Sequence, residues 1–116
     1  MHELSLVGSI LEIVRDYAAE HGFSRVNALR LSFGRLSCID PGALEFAFAV
    51  RSEGTPARGA RLDFEILPAV VHCFACDRDS ELRQAFFSAE CPCCRSREVL
   101  LTGGTEELKL LELEVD

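Results

Sequence analysis

Residues 73–94 have the sequence CFACDRDSELRQAFFSAECPCC, in which two Cys-x-x-Cys pairs, Cys73–Cys76 and Cys91–Cys94, are separated by fourteen residues. Each two-residue gap lets both thiolates of a pair turn toward one ion, and two such pairs complete a tetrahedron of sulfur ligands around zinc. Four thiolates close the coordination sphere, so the pattern predicts a structural zinc ion. The segment has few apolar residues, and we therefore expect the metal to organise it.

Other interpretations of the cysteines stay open at this point. Iron in a rubredoxin-like site uses the same four ligands. Disulfides are disfavoured if the chain stays in a reducing cytoplasm. Cys93 occupies the variable position of the second pair and is predicted not to bind the metal. Cys38 lies far from the pairs and is predicted to be a small buried hydrophobic residue. His72 is predicted to lie at the surface or beside the ligands rather than among them.

The segments on either side of the cysteines have the alternating pattern of strands. Residues 61–67 alternate apolar and charged side chains, and a last strand is predicted for residues 107–115, with a bulge at Leu110–Leu111 where the alternation changes phase. We expect both strands to join one sheet. The sequence therefore predicts an α+β fold, a small mixed helix-sheet domain of residues 1–70 plus 105–116, with an inserted zinc-ribbon-like module at residues 71–104.

Two helices and a further strand are predicted in the first half of the chain. Residues 3–19 carry apolar side chains at helical spacing, and Gly22 is a plausible C-terminal stop. Residues 26–33 read as a strand whose alternate residues, including Ser32, face solvent. Asp40-Pro41 is a typical helix start, and Phe46 is expected to pack at the edge of that helix.

Composition excludes several classes of protein. The formal net charge of the 116 residues is −7, which disfavours binding to nucleic acid. No apolar run approaches the length of a membrane span, and no signal peptide is recognisable, so a cytoplasmic protein with no membrane partner is expected. We find no set of nucleophile, base and orienting residue, and we predict that the chain is not an enzyme.

The N-terminal residues Met1-His2-Glu3 offer a second metal site. The α-amine has a pKa of about 7.7–8.0 in model peptides and is neutral often enough to bind metal. With the His2 imidazole and the amides of His2 and Glu3 it would form a square of nitrogen ligands, which suits nickel or cupric ions. The alternative is a solvated terminus that merely begins the helix, and the local sequence alone favours that alternative.

The full chain resembles the HypA/HybF family of nickel chaperones for hydrogenase maturation. The resemblance is carried by Met1-His2-Glu3, by the stretch Gly34-Arg-Leu-Ser-Cys38, by the two cysteine pairs and by the strand at residues 108–115. It implies nickel as cargo at Met1, His2 and Glu3, and structural zinc at Cys73, Cys76, Cys91 and Cys94. It also implies a nickel-handling GTPase and the hydrogenase large subunit as partners, and urease as a client of some members.

Three functions from different classes compete at this stage. The first is a nickel metallochaperone, which binds and transfers metal without catalysis. The second is a zinc-ribbon interaction module for nucleic acid, which the negative charge opposes. The third is a rubredoxin-like electron carrier, which a metal assay would distinguish.

Overall fold

The computed structural model describes residues 2–82 and 90–116, with His2 described by its backbone alone. These described residues form two helices and six strands, and the predicted α+β class is confirmed. In chain order the elements are α1 (His2–His21), β1 (Val26–Gly34), α2 (Pro41–Arg51), β2 (Arg61–Leu67), β3 (Ala69–Cys73), β4 (Arg78–Leu82), β5 (Val99–Gly103) and β6 (Lys109–Val115).

The chain forms two compact units. The first contains Met1–Ser32, Ile39–Glu65 and Leu108–Asp116, and the second contains Phe33–Cys38 and Ile66–Glu107. The division into a nickel-binding domain and a zinc-binding module, with the boundaries given above, stays a prediction. Within the described residues, neither helix combines the length and the apolar character that crossing a membrane requires.

Helix α1 supplies one wall of the first core. Val7, Ile10, Leu11 and Val14 recur at helical spacing and are all buried. The helix ends at His21 and is followed by Gly22, whose φ of 76° is readily accessible only to glycine; the Gly22 N–H donates to the Ala18 carbonyl at 2.9 Å. The predicted helix, its apolar stripe and its stop are confirmed.

Strand β1 is the middle strand of a sheet with the order β2-β1-β6, so the predicted strands on either side of the cysteines do share a sheet. The predicted bulge is also confirmed: Arg30 faces Glu112 and Leu31 faces Leu110, which leaves Leu111 as the extra residue of β6. The prediction that Ser32 faces solvent was wrong. Every residue of β1 from Leu31 to Gly34 is buried, because both faces of the strand are covered at that end.

Helix α2 begins as its sequence predicts. Asp40 is the N-cap, and its carboxylate accepts a hydrogen bond from the Gly42 N–H at 3.0 Å. Leu44 and Phe48 bury the apolar stripe against the first core. Phe46 is 73 % exposed, so the prediction that it packs at the helix edge was wrong. It lies two residues from Leu44, about 200° around the helix, and therefore points away from the core.

The second unit contains a three-stranded antiparallel sheet with the order β4-β3-β5, which the sequence analysis did not predict. Ala69, Val71 and Leu82 form its small core, against which Leu36 packs. Gly34 is required where the chain approaches residues 104–106, because a Cβ there would collide with the Gly104 carbonyl and lie 2.7 Å from the Glu106 nitrogen. The earlier segment Phe33–Cys38 is thereby built into this unit.

Candidate metal centre

The first cysteine of the group, Cys73, is the last residue of strand β3 in the second unit. The burial of this strand alternates, with Ala69, Val71 and Cys73 buried, so the Cys73 side chain lies on the same face as the small core. β3 pairs with β4 up to the Cys73–Arg78 pair. The Cys-x-x-Cys segment is therefore the tight turn of a β-hairpin, and Cys76 lies on that turn.

The second cysteine pair forms a turn of the same span. The Cys91 N–H donates to the Ser96 carbonyl at 2.9 Å, and the Arg95 N–H donates to the Cys91 carbonyl at 2.9 Å. Cys91 and Ser96 are five residues apart, as are Cys73 and Arg78 in the first turn. In both turns a backbone N–H points at the first sulfur: Cys76 N–H to Cys73 Sγ at 3.5 Å, and Cys93 N–H to Cys91 Sγ at 3.3 Å.

The four sulfur atoms of these two turns converge. Those of Cys73 and Cys94 are 3.6 Å apart, those of Cys76 and Cys91 are 3.8 Å apart, and all four lie within 4.8 Å of one another. A tetrahedron with Zn–S bonds of about 2.3 Å has an edge of about 3.8 Å. The spacing of the four sulfurs therefore fits a single tetrahedral metal ion.

The pKa values of three of these four cysteines are shifted, and not all in the same direction. Backbone N–H groups of Cys94 and Cys93 lower the pKa of Cys91 to about 6, against the opposing effect of burial. Burial, together with hydrogen bonds to the neighbouring thiols, raises the pKa of Cys76 to about 12. The pKa of Cys94 is also raised: the Ser96 N–H lowers it, and contact with Cys73 and burial outweigh that effect.

The remaining cysteines lie outside this group. Cys93 is exposed, and its sulfur is 3.6 Å from the Ser80 hydroxyl. Cys38 is also exposed, so the prediction that it is buried was wrong. It lies in the loop between β1 and α2 and has a φ of 64°, in the left-handed region that residues with a Cβ seldom adopt.

His72 lies next to the first ligand in sequence, and its ring faces carboxylates. Nδ1 is 2.8 Å from Asp79 and Nε2 is 3.4 Å from Asp77, while the ring packs edge-on against Phe74 at 4.9 Å. Both ring nitrogens are therefore directed at acidic side chains. His72 is not part of the group whose ligand atoms converge.

The predicted N-terminal site lies largely outside the described residues. This applies to Met1 and to the His2 side chain. The helix begins at His2, and Glu3 is a half-buried residue of its first turn. Nickel binding by Met1, His2 and Glu3 stays a prediction.

Four converging thiols on a small α+β scaffold define the class of the molecule as a metal-binding protein. Comparison with known proteins identifies the family. The family model described as "Hydrogenase/urease nickel incorporation, metallochaperone, hypA" matches residues 1–115. The chain therefore belongs to the HypA family of nickel metallochaperones for hydrogenase maturation.

Individual relatives agree with that assignment. The chain is 57% identical over 116 residues to the hydrogenase maturation factor HypA of Syntrophus aciditrophicus (strain SB), with 100% of both chains covered. It is 40% identical to the HypA of Methylocella silvestris, again with 100% of both covered. A solution structure of a HypA protein superposes with a TM-score of 0.69 at 26% identity, covering 99% of this chain and 96% of the other. The nickel metallochaperone HypA of Helicobacter pylori has the same fold, with a TM-score of 0.62 at 22% identity, covering 97% and 96%.

Proposed function

We propose that Cys73, Cys76, Cys91 and Cys94 hold a zinc ion with a structural role. The support is the separation of the sulfurs, 3.6 Å and 3.8 Å for the two closest pairs, close to the edge of a zinc–thiolate tetrahedron. Four protein ligands leave no position for a substrate, so the ion would contribute folding energy rather than Lewis-acid chemistry. Iron would accept the same ligands and is distinguished by metal analysis.

We further propose that nickel is the cargo and that it binds at the N-terminus. Its ligands would be the Met1 α-amine, the His2 imidazole and backbone nitrogens up to Glu3. α1 begins at His2, so these nitrogen ligands would lie together at the N-terminal end of the helix. A square of nitrogen ligands suits nickel(II).

The bound nickel would be delivered to the large subunit of a nickel–iron hydrogenase in the cytoplasm, together with a nickel-handling GTPase. The support is membership of the HypA family, whose description names nickel incorporation into hydrogenase and urease. Urease is the second candidate client. The family match favours this role over an electron carrier or a nucleic-acid module. Such a protein binds and releases metal and catalyses no reaction.

The N-terminal site is tested by calorimetric titration of nickel into untagged, zinc-loaded protein and three variants. One variant carries extra residues before Met1, one is His2→Ala, and the control is His21→Ala, which changes an exposed histidine at the opposite end of the same helix. We expect the first two to weaken nickel binding by at least roughly tenfold, while the control binds normally. Equal affinity in all four proteins would remove the N-terminal site from the proposal.

A further inference from the structure

The sheet β4-β3-β5 of the second unit has two faces of different chemistry. Residues directly opposite one another on antiparallel strands share a face. Cys73 is opposite Arg78, so both lie on the side of the small core. His72 is opposite Asp79 on β4 and Leu100 on β5, and it lies on the other side because successive strand residues alternate. We call that side the outward face; its members are Val70, His72, Phe74, Asp79, Glu81 and Leu100.

The centre of the outward face is apolar and accessible. Phe74 is 63 % exposed and Leu100 is 56 % exposed, so most of each side chain meets solvent. The Phe74 ring packs edge-on against the His72 ring, with the ring centroids 4.9 Å apart. Leu100 adjoins His72 as its partner on the neighbouring strand. Exposed apolar side chains that cluster, rather than occur singly, are typical of an interaction surface.

The charged side chains of the outward face are acidic. Asp79 and Glu81 are the outward residues of β4. Asp77, in the turn before β4, also reaches this face, because its carboxylate lies 3.4 Å from Nε2 of His72. Residues 69–73, 78–82 and 99–103 contain one arginine and no lysine, and that arginine, Arg78, is on the core side. Three carboxylates therefore leave the outward face negative even when His72 is protonated.

No arginine or lysine in the described part of the chain neutralises these carboxylates. Their recorded ion pairs are with His72 alone, and Glu81 has none. Arg95 and Arg97 follow the second cysteine turn and form no ion pair with any of the three among the described residues. A cationic side chain of another molecule would therefore find open acceptors beside an apolar patch.

We propose that the outward face docks a partner protein through a segment in which apolar side chains adjoin lysine or arginine. The apolar side chains pack on Phe74 and Leu100, and the cationic ones face Asp79 and Glu81. The face belongs to the second unit, so this contact is independent of whether the N-terminus binds nickel.

Charge disfavours the other common occupants of such a face. A second copy of the chain, joined by a two-fold axis, would place the same three carboxylates of each copy against one another. Nucleic acid and anionic lipid both present phosphates, which the carboxylates repel. A basic and apolar protein segment is the occupant that the charge and the apolar centre favour together.

The probe is a blocked peptide of two leucines followed by two lysines. One counterpart replaces the lysines by glutamates, and the other replaces the leucines by glycines. Each is titrated into isotope-labelled full-length protein, purified with its metal, while the backbone amide resonances are followed. We expect the leucine–lysine peptide to shift the amides of residues 70–74, 79–81 and 98–101, and each counterpart to shift them far less.

Two variants separate the charged and the apolar contributions. Glu81→Lys should weaken binding of the leucine–lysine peptide by about fivefold, whereas Glu45→Lys, at an exposed position on α2, should leave it unchanged. Leu100→Ser should weaken it by about threefold or more, with Val50→Ser as the control for an exposed apolar residue elsewhere. Should Leu100→Ser fold poorly, the charge reversal still decides the matter.

Four results would overturn the proposal. The first is no response of the outward-face amides to the leucine–lysine peptide. The second is an equal response to the glutamate counterpart, and the third is an equal response to the glycine counterpart. The fourth is a concentration-dependent shift of the same amides without peptide, which would make a second copy the occupant.

Discussion

Asp77 and Arg95 occupy equivalent positions in the metal centre: each directly follows the second cysteine of its pair, and each has a positive φ, 55° and 60° respectively. Residues with a Cβ adopt this left-handed conformation at a cost of about 1–2 kcal/mol. Glycine would adopt it freely, and neither turn has glycine there. The two turns around the thiols therefore hold their backbone against its local preference.

Arg95 should accept glycine more readily than a β-branched residue. We expect Arg95→Gly to keep or increase the free energy of unfolding, because it relieves the left-handed conformation. Arg95→Val should lower it, and the two variants should differ by at least about 1 kcal/mol. Chemical denaturation of zinc-loaded protein measures the difference. Equal stability of the two variants would mean that the turn relaxes away from the positive φ.

The cysteine group should lose its metal when a converging sulfur is removed. We expect purified protein to contain about one zinc ion per chain. Cys73→Ser and Cys94→Ser should each abolish zinc retention in elemental analysis, because the remaining sulfurs no longer complete a tetrahedron. Cys93→Ser and Cys38→Ser are the matched controls and should keep the ion, since both sulfurs lie outside the group. Loss of zinc from Cys93→Ser alone would overturn the ligand set.

A methyl group at position 34 should disrupt the second unit. The Cβ of Gly34→Ala would collide with the Gly104 backbone, so we expect a destabilisation of about 2–3 kcal/mol. Gly42→Ala is the control within the first turn of α2. Its Cβ would meet Asp40 only at 3.5 Å, and it should be neutral or stabilising by about 0.5–1 kcal/mol. Comparable behaviour of the two variants in thermal unfolding would contradict the close approach.

One carboxylate on the sheet should titrate abnormally. The hydrogen bond from Arg61, followed by the charge of that guanidinium, lowers the pKa of Asp63 below its ordinary value of 3.8. Its contribution to stability is therefore present at neutral pH and is lost as the pH falls through the lowered pKa. We expect carbonyl NMR titration to give a higher pKa for Asp63 in Arg61→Gln than in the native protein. Arg58→Gln, which changes a partner of Glu53, should leave it unaltered.

The parts of the fold that were predicted correctly depend on local chemistry. The stripe of α1, the Asp40 cap and the phase change at Leu110–Leu111 each arise within a few residues, so periodicity and capping rules reveal them. The convergence of the four thiols was also predictable, because a tetrahedral ion restricts the spacing of its ligands along the chain.

The features that sequence did not reveal depend on distant partners. Strand β4 has a single apolar residue and β5 is only five residues long, so neither shows a strand pattern until it pairs with β3. Cys38 is exposed in a loop where its backbone has a φ of 64°, a conformation that its sequence does not predict. An apolar groove between α1 and β6, lined by Ile13 and Leu111 among others, was also not predicted, because it forms between elements that are distant in sequence.

The backbone of Phe33–Cys38 is hydrogen-bonded to residues of the second unit, so this segment would have to accompany that unit in any transfer to another protein. Gly34 donates to Glu106 at 2.9 Å, Arg35 donates to Leu67 at 2.8 Å and Leu36 donates to Gly104 at 2.6 Å. A graft of Ile66–Glu107 would carry all four converging cysteines and leave behind these three donors and the Leu36 side chain. Recombination that preserves this unit must therefore move two separated stretches of the gene. The four cysteines and the segment between them are not sufficient by themselves.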